Sequence, residues 1–267
     1  MKHLFYTSFA ALFLALTFIA CDFYSYKTKV SVNDSVVKEK QGNFGFSLKG
    51  NEKVSVSNYP FRNFSAINAS GAVKVYYSQD STYSIRVEEK GEPRVIVEMK
   101  DRQLNIKSKN KNGFVNIVND KLPKIYVNSP YLNELKISGA SEFSAKKMAQ
   151  SNMVMKVSGA SKVNAEYIDC SSLDLHVSGA SKVSTDVKAP HAMVSLSGAS
   201  KADVSFLGKA IEVHNSGASK MTLKLDCEEL SASNSGASKC TVSGYVDKVD
   251  IKKSGASKVD TSELNPD

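Results

Sequence analysis

Six lysines, Lys162, Lys182, Lys201, Lys220, Lys239 and Lys258, recur at intervals of 20, 19, 19, 19 and 19 residues, each closing a copy of Ser-Gly-Ala-Ser-Lys. Ammonium groups repeated at a fixed interval suit a linear anion, since each can face a successive negative charge on a polymer. A second set of residues suggests different chemistry. Glu134, Asp174, Glu212 and Asp250 stand four residues before the first Ser of alternate repeats. Carboxylates about 6.5–9.5 Å apart are the apparatus of an inverting glycosidase. The same acids stand two residues from Lys136, His176, His214 and Lys252, so charge pairing on a solvated face competes with catalysis and is the stronger reading. His176 and His214 fall two repeats apart, too far to share one metal ion through bonds of about 2 Å. The chain lacks a phosphate-binding Gly loop, a nucleophile elbow and His-Glu-x-x-His. No catalytic residue, metal or cofactor is therefore expected.

The elements that hold these residues follow from the repeat. Ser-Gly-Ala begins at Ser70, Ser138, Ser158, Ser178, Ser197, Ser216, Ser235 and Ser254. Five residues before it stand Met153, Leu173, Ala192, Ile211, Leu230 and Val249, and three before it Leu135, Met155, Leu175, Val194, Val213, Ala232 and Ile251. Five after it stand Phe143, Val163, Val183, Ala202, Met221, Cys240 and Val259, and seven after it Ala145, Ala165, Thr185, Val204, Leu223 and Val242. Apolar residues two apart with polar ones between mark strands, not a 3.6-residue helical stripe.

A unit of 19–20 residues at roughly 3.3 Å each gives a perimeter near 60 Å, which suits a slender coil whose turns pair as parallel strands. The expected fold is all-β: a right-handed parallel β-helix with an irregular β-rich amino-terminal cap. Gly139, Gly159, Gly179, Gly198, Gly217, Gly236 and Gly255 are the structural turn residues, at corners where φ is positive. The Ala is expected in a tight interior angle and the two Ser hydroxyls on corner amides. The residue before the first Ser runs Ile137, Val157, Val177, Leu196, Asn215, Asn234, Lys253. That predicts either an internal Asn ladder or a column that turns outward.

The chain has 267 residues, 42% hydrophobic, with 6 Pro, no Trp and a formal net charge of +8. It is long enough to bury a continuous narrow core. Met1-Lys2-His3 and the apolar run Leu4 to Ala20 read as a signal peptide, too short for a membrane span of about 20 residues. Phe18-Ile19-Ala20-Cys21 resembles the lipobox of bacterial lipoproteins, which implies acylation of Cys21, although Phe18 stands where Leu is more usual. Cys170, Cys227 and Cys240 remain. Cys170 and Cys227 fall three coils apart, about 14 Å, beyond the roughly 7 Å a disulfide spans. All three read as buried thiols.

The expected organisation is 1–20 signal peptide, 21–52 polar tether, 53–137 cap and first coils, and 138–267 regular coils. In the third segment Tyr83–Val87, Arg94–Val97, Leu104–Ile106 and Lys124–Val127 are short alternating strands. After Ser254 little blocks the last strand edge beyond Lys252, Lys253 and Pro266, so an oligomer formed by end stacking is expected to be accessible.

Asn63-Phe64-Ser65-Ala66-Ile67, Ser70-Gly71-Ala72-Val73-Lys74-Val75, Asp80 followed by Tyr83–Val87, Leu104–Ile106, Lys124–Val127, and Pro130, Leu132 and Leu135 before Ser138-Gly139 form a set. Over residues 60 to 260 the chain resembles the auto-transporter adhesin head GIN domain family. That resemblance implies a leader, a β-rich first segment and a Ser-Gly-rich parallel β-helix at the bacterial cell envelope. It carries over no catalytic residue. Many relatives place an acid or a small residue where this chain repeats Lys.

The six lysines would form one column about 24 Å long. Neighbours about 5 Å apart would repel by only about 0.8 kcal/mol in water, so the column is tolerable as a solubility device. As a function it is a basic strip for a polyanion. Nucleic acid is the weaker partner, because no aromatics interleave with the lysines. The reading is a non-catalytic, lipid-anchored envelope protein, binding acidic polysaccharide or another surface polymer, on the outer membrane and facing the periplasm or the surface. The alternatives are a structural scaffold that docks an envelope protein and, behind it, a carbohydrate-active β-helix enzyme.

Overall fold

The computed structural model describes residues 30–32, 35–37, 54–91, 94–108 and 122–265. The signal-peptide segment, Cys21, Pro266 and most of the 21–52 stretch lie outside the described residues. The chain divides into two units, Met1–Asn43 and Phe44–Asp267. In the first, β1 (Val30–Val32) pairs antiparallel with β2 (Ser35–Val37).

The second unit begins with β3 (Val54–Asn58), β4 (Ala66–Ser70), β5 (Lys74–Gln79), β6 (Ser84–Lys90), β7 (Val95–Lys100), β8 (Gln103–Ser108) and β9 (Lys124–Ser129). The repeats follow as β10 (Glu134–Ile137), β11 (Glu142–Val157), β12 (Lys162–Val177), β13 (Lys182–Leu196), β14 (Lys201–Asn215), β15 (Lys220–Asn234), β16 (Lys239–Lys253) and β17 (Lys258–Leu264). From β10 to β17 every coil pairs parallel with the next, forming the expected β-solenoid, and the described residues contain no helix. Register aligns the apolar columns, for example Leu175 with Val194, Val213 and Ala232 in turn. Those columns are buried from Leu135 to Val246, with Phe64, Phe143 and Phe206 the largest fully buried side chains.

Coils do not stack in sequence order at the amino-terminal end. β4 lies between β10 and β8, and β5 lies between β11 and β9, all parallel. The later pair β8 and β9 thus lies outside the earlier pair, and the chain returns over it through Pro130 to Asn133. Antiparallel strands close this end, β7 on β8, β6 on β9 and β3 on β6. Gln79, at the end of β5, completes the pairing where no strand reaches: its amide donates to the Ala149 carbonyl at 2.7 Å and accepts from the Ala149 N–H at 2.6 Å.

The corners correct two expectations. Gly159 has φ +75°, and a Cβ there would sit 2.5 Å from the Gly139 carbonyl oxygen. Only glycine satisfies both the positive φ and so close a stack. Gly and Ala form the tip of the turn, so Ala160, Ala180, Ala199, Ala218 and Ala237 are exposed, not interior. The second Ser turns inward instead, and Ser141, Ser161, Ser181, Ser200, Ser219 and Ser238 are at most 2% exposed. Their hydroxyls do not serve corner amides, which already donate along the stack as Ala180 N–H does to the Gly159 carbonyl at 2.8 Å. From Ser161 to Ser238 they donate to carbonyls, Ser181 to Gly159 at 3.2 Å and Ser238 to Asn215 at 3.3 Å, whereas the Ser141 hydroxyl has no partner among the described residues.

At the other end β17 covers only the first half of β16. Val249 is accordingly 44% exposed. Asn265 closes part of the gap: its side chain accepts from the Val246 N–H at 2.8 Å and donates to the Val246 carbonyl at 2.9 Å, imitating one more strand residue.

Candidate functional site: a lysine file on the solenoid face

Parallel register turns sequence spacing into a line. Lys162 aligns with Lys182, Lys182 with Lys201, Lys201 with Lys220, Lys220 with Lys239, and Lys239 with Lys258. The line continues past the repeats: Lys162 aligns with Glu142, Glu142 with Lys74, and Lys74 with Lys124. Eight lysines and one glutamate therefore stand in single file over about 38 Å at a coil rise near 4.8 Å. Lys74 was legible in the sequence, since it follows Ser70 by the same four residues; Lys124 follows no motif and only the strand pairing finds it.

Side chains of the file point to solvent, with Lys74, Glu142 and Lys201 partly covered. Lys74 pairs with Glu142 at 3.3 Å and Lys201 with Asp203 at 3.0 Å. Among the described residues no carboxylate forms an ion pair with Lys162, Lys182, Lys220, Lys239 or Lys258. The turn tips flank the file on one side. On the other runs a column of Tyr126, Tyr76, Ser144, Asn164, Ser184, Asp203, Thr222, Thr241 and Asp260. The Ser262 hydroxyl and N–H, at 2.8 and 3.2 Å, hold the Asp260 carboxyl below its usual range. Short hydroxyl and amide side chains leave this face low beside the longer lysines.

The column of tyrosines at the amino-terminal end is built differently. Tyr76 and Tyr126 stack with centroids 5.2 Å apart and planes 18° from parallel, and the Arg86 guanidinium lies 4.4 Å over the Tyr126 ring. Arg86 also pairs with Glu88 at 2.6 Å.

The four acids on alternate coils each engage the base two residues ahead. Glu134 meets Lys136 at 2.8 Å, Asp174 His176 at 2.8 Å, Glu212 His214 at 3.0 Å, and Asp250 Lys252 at 3.2 Å. Charge pairing explains them, and the coils between them run on without inserted loops from β12 to β16. Among the described residues no cluster of His, Cys, Asp and Glu could hold a metal ion. Cys170, Cys227 and Cys240 are free and buried. Burial pushes the Cys170 and Cys227 thiols up to about 11 and the Cys240 thiol up to about 12.

Comparison with known proteins places this geometry. The chain is similar to a solved structure from Bacteroides fragilis described as a "putative adhesin", at 20% identity and TM-score 0.70, covering 78% of this chain and 97% of that one. It is similar to another "putative adhesin" from Parabacteroides merdae, at 22% identity and TM-score 0.57, covering 80% and 98%. A Parabacteroides distasonis structure described as a "putative lipid binding protein" matches at 16% identity and TM-score 0.60, covering 79% and 98%. At such identities the likeness is one of fold. No curated protein matches the chain. The sequence profile of one family matches residues 63–209 and 194–267. The chain belongs to that family, described as "Putative auto-transporter adhesin, head GIN domain".

Proposed function

We propose that this chain is a non-catalytic, adhesin-like binding module of the bacterial cell envelope, held to a membrane by acylation of Cys21, whose lysine file takes an anionic surface polymer, acidic polysaccharide foremost. The register of Lys162 through Lys258 carries the reading. A linear anion laid along the file meets a fresh ammonium at each coil and relieves the repulsion between neighbours, about 0.8 kcal/mol per pair in water. The family's adhesin description and the adhesin structures of the same fold support a binding role. The ion-paired acids support the absence of catalysis.

The test is titration of the protein with polygalacturonate at rising NaCl, for the natural chain and for Lys182→Ser/Lys201→Ser/Lys220→Ser. Affinity is expected to fall with salt and to fall again in the triple variant. Binding indifferent to both rejects the polymer reading. Absence of binding together with a concentration-dependent oligomer in sedimentation points instead to a structural scaffold. Incorporation of labelled palmitate that disappears in Cys21→Ser tests the anchor, and protease shaving of intact cells reads which side the domain faces.

A further inference from the structure

The tyrosine stack at the amino-terminal end of the file has an open place beside it. Arg86, Tyr126 and Tyr76 lie side by side on β6, β9 and β5, with Arg86 aligned on Tyr126 and Tyr126 on Tyr76. Tyr126 is covered on both faces, by the guanidinium at 4.4 Å and by the Tyr76 ring at 5.2 Å. Tyr76 carries only one ring partner among the described residues, and it is 37% exposed. The next residue in its column is Ser144 on β11, whose side chain is too short to cover a ring. The aromatic column therefore has a gap at Ser144, one coil from Tyr76, where Glu142 and Lys162 of the lysine file stand in the neighbouring column.

We propose that this gap is a sugar subsite: a pyranose ring of an acidic polysaccharide stacks on the open face of Tyr76 above Ser144, and the chain beyond it follows the file. This rests on the binding role proposed above and adds the point where the polymer is read. A pyranose presents a flat apolar face of C–H groups, which suits the face of a tyrosine left bare to water. The hydroxyls of successive sugars then meet the hydroxyls and amides of Ser144, Asn164, Ser184, Thr222 and Thr241, while the acidic groups meet the lysines. Asp203 and Asp260 stand in the same column. They can accept hydrogen bonds from the neutral hydroxyls of a sugar, which a polyphosphate chain does not offer. A single-stranded nucleic acid asks for aromatics at successive positions, and after Tyr76 the column holds none.

Three probes separate the cases: polygalacturonate, inorganic polyphosphate as a polyanion without rings, and oligodeoxythymidylate. With Tyr76→Ala, affinity for polygalacturonate is expected to fall about three- to tenfold, the range of one aromatic contact, and affinity for polyphosphate to stay unchanged. The Lys182/Lys201/Lys220→Ser variant should lose affinity for both. If the lysine variant weakens polygalacturonate and Tyr76→Ala does not, the subsite is overturned while the lysine file stands. Loss of oligodeoxythymidylate binding equal to that of polygalacturonate in Tyr76→Ala replaces the sugar with a nucleobase. If the natural chain binds no probe, both proposals fail. Tyr76→Phe, which keeps the ring, is expected to bind as the natural chain does, and its failure to do so also overturns the stacking.

Discussion

The side-chain amide of Asn215 donates to the Asn234 side-chain oxygen at 3.2 Å, with both residues 1% exposed, so two successive coils share a polar rung inside an apolar core. The Asn215 amide also reaches the Lys239 carbonyl at 3.2 Å, and its oxygen accepts from the Ser219 hydroxyl. The Asn234 Nδ2 donates to nothing among the described residues. Of the two arrangements compatible with the sequence, the internal ladder is the one the protein uses.

The two asparagines should answer substitution differently. Asn215→Val removes partners from Ser219, Lys239 and Asn234 and is expected to lower stability by about 1–3 kcal/mol. Asn234→Val removes one hydrogen bond and one unmatched donor, so a change under about 1 kcal/mol is expected. Urea midpoints of the two variants measure the difference, and equal losses would contradict the ladder's asymmetry.

Glycine at the corners is a steric matter as well as a conformational one. In Gly198→Ala the new Cβ lies 2.8 Å from the Gly179 carbonyl oxygen at φ +70°, whereas in Gly91→Ala it meets nothing within 4 Å at φ +81°. Positive φ at a non-glycine residue costs on the order of 1 kcal/mol or more. Gly91→Ala should show that alone, and Gly198→Ala should be destabilised by roughly twice as much or more in thermal melts.

The lysine file should bear little of the fold. Lys220→Ser is expected to shift stability by less than about 0.5 kcal/mol, since surface charges contribute little. It should stabilise slightly at low salt, where repulsion from Lys201 and Lys239 is least screened. Lys201→Ser also breaks the pair with Asp203 and should show no such gain. Melting curves at low and high NaCl compare the two. A large loss in Lys220→Ser would mean the file serves folding and not a ligand.

The buried thiols set the alkaline limit. In the unfolded chain a thiol titrates near its ordinary value, whereas in the fold Cys170 and Cys227 hold their protons to about 11 and Cys240 to about 12. Above the ordinary value the unfolded state binds fewer protons than the native one, so stability falls as pH rises and goes on falling until the folded thiols ionise. The loss should be on the order of 1 kcal/mol per thiol between pH 9 and 10. Unfolding in urea at pH 8, 9 and 10 checks it, and Cys240→Val should flatten the slope. At pH 8 all three thiols should resist alkylation until the protein unfolds.

Much of the fold is legible in the chain itself because each interior position recurs seven or so times, and Met155, Leu175, Val194 and Val213 can be lined up by the repeat alone. Orientation at the corner is less so: alternation continued from Val157 puts Ala160 outside and Ser161 inside, as found, but the small size of Ala suggests an interior angle, and Gly159, assigned inward by alternation, stands at the exposed tip. Stacking of β8 and β9 outside β4 and β5 is hidden for a different reason. It depends on pairing Leu104 with Ile67 and Ile125 with Val75, contacts between segments that share no motif. The candidate site is half legible: the repeats contain six lysines, while Lys124 and the stacked face of Tyr76 emerge only from register.

That out-of-order coil governs how the molecule meets tension. A pull on the chain from its amino-terminal side first peels β3 from β6, then arrives at β4 and β5, each clamped between two parallel neighbours. Those strands cannot unzip from an edge; they must be sheared out along their length with many hydrogen bonds loaded together. From the other end β17 and then β16 can peel away one coil at a time. The solenoid is thus mechanically unequal along its length, firm where the head strands are clamped on both sides and yielding where the tail strands lie at an edge.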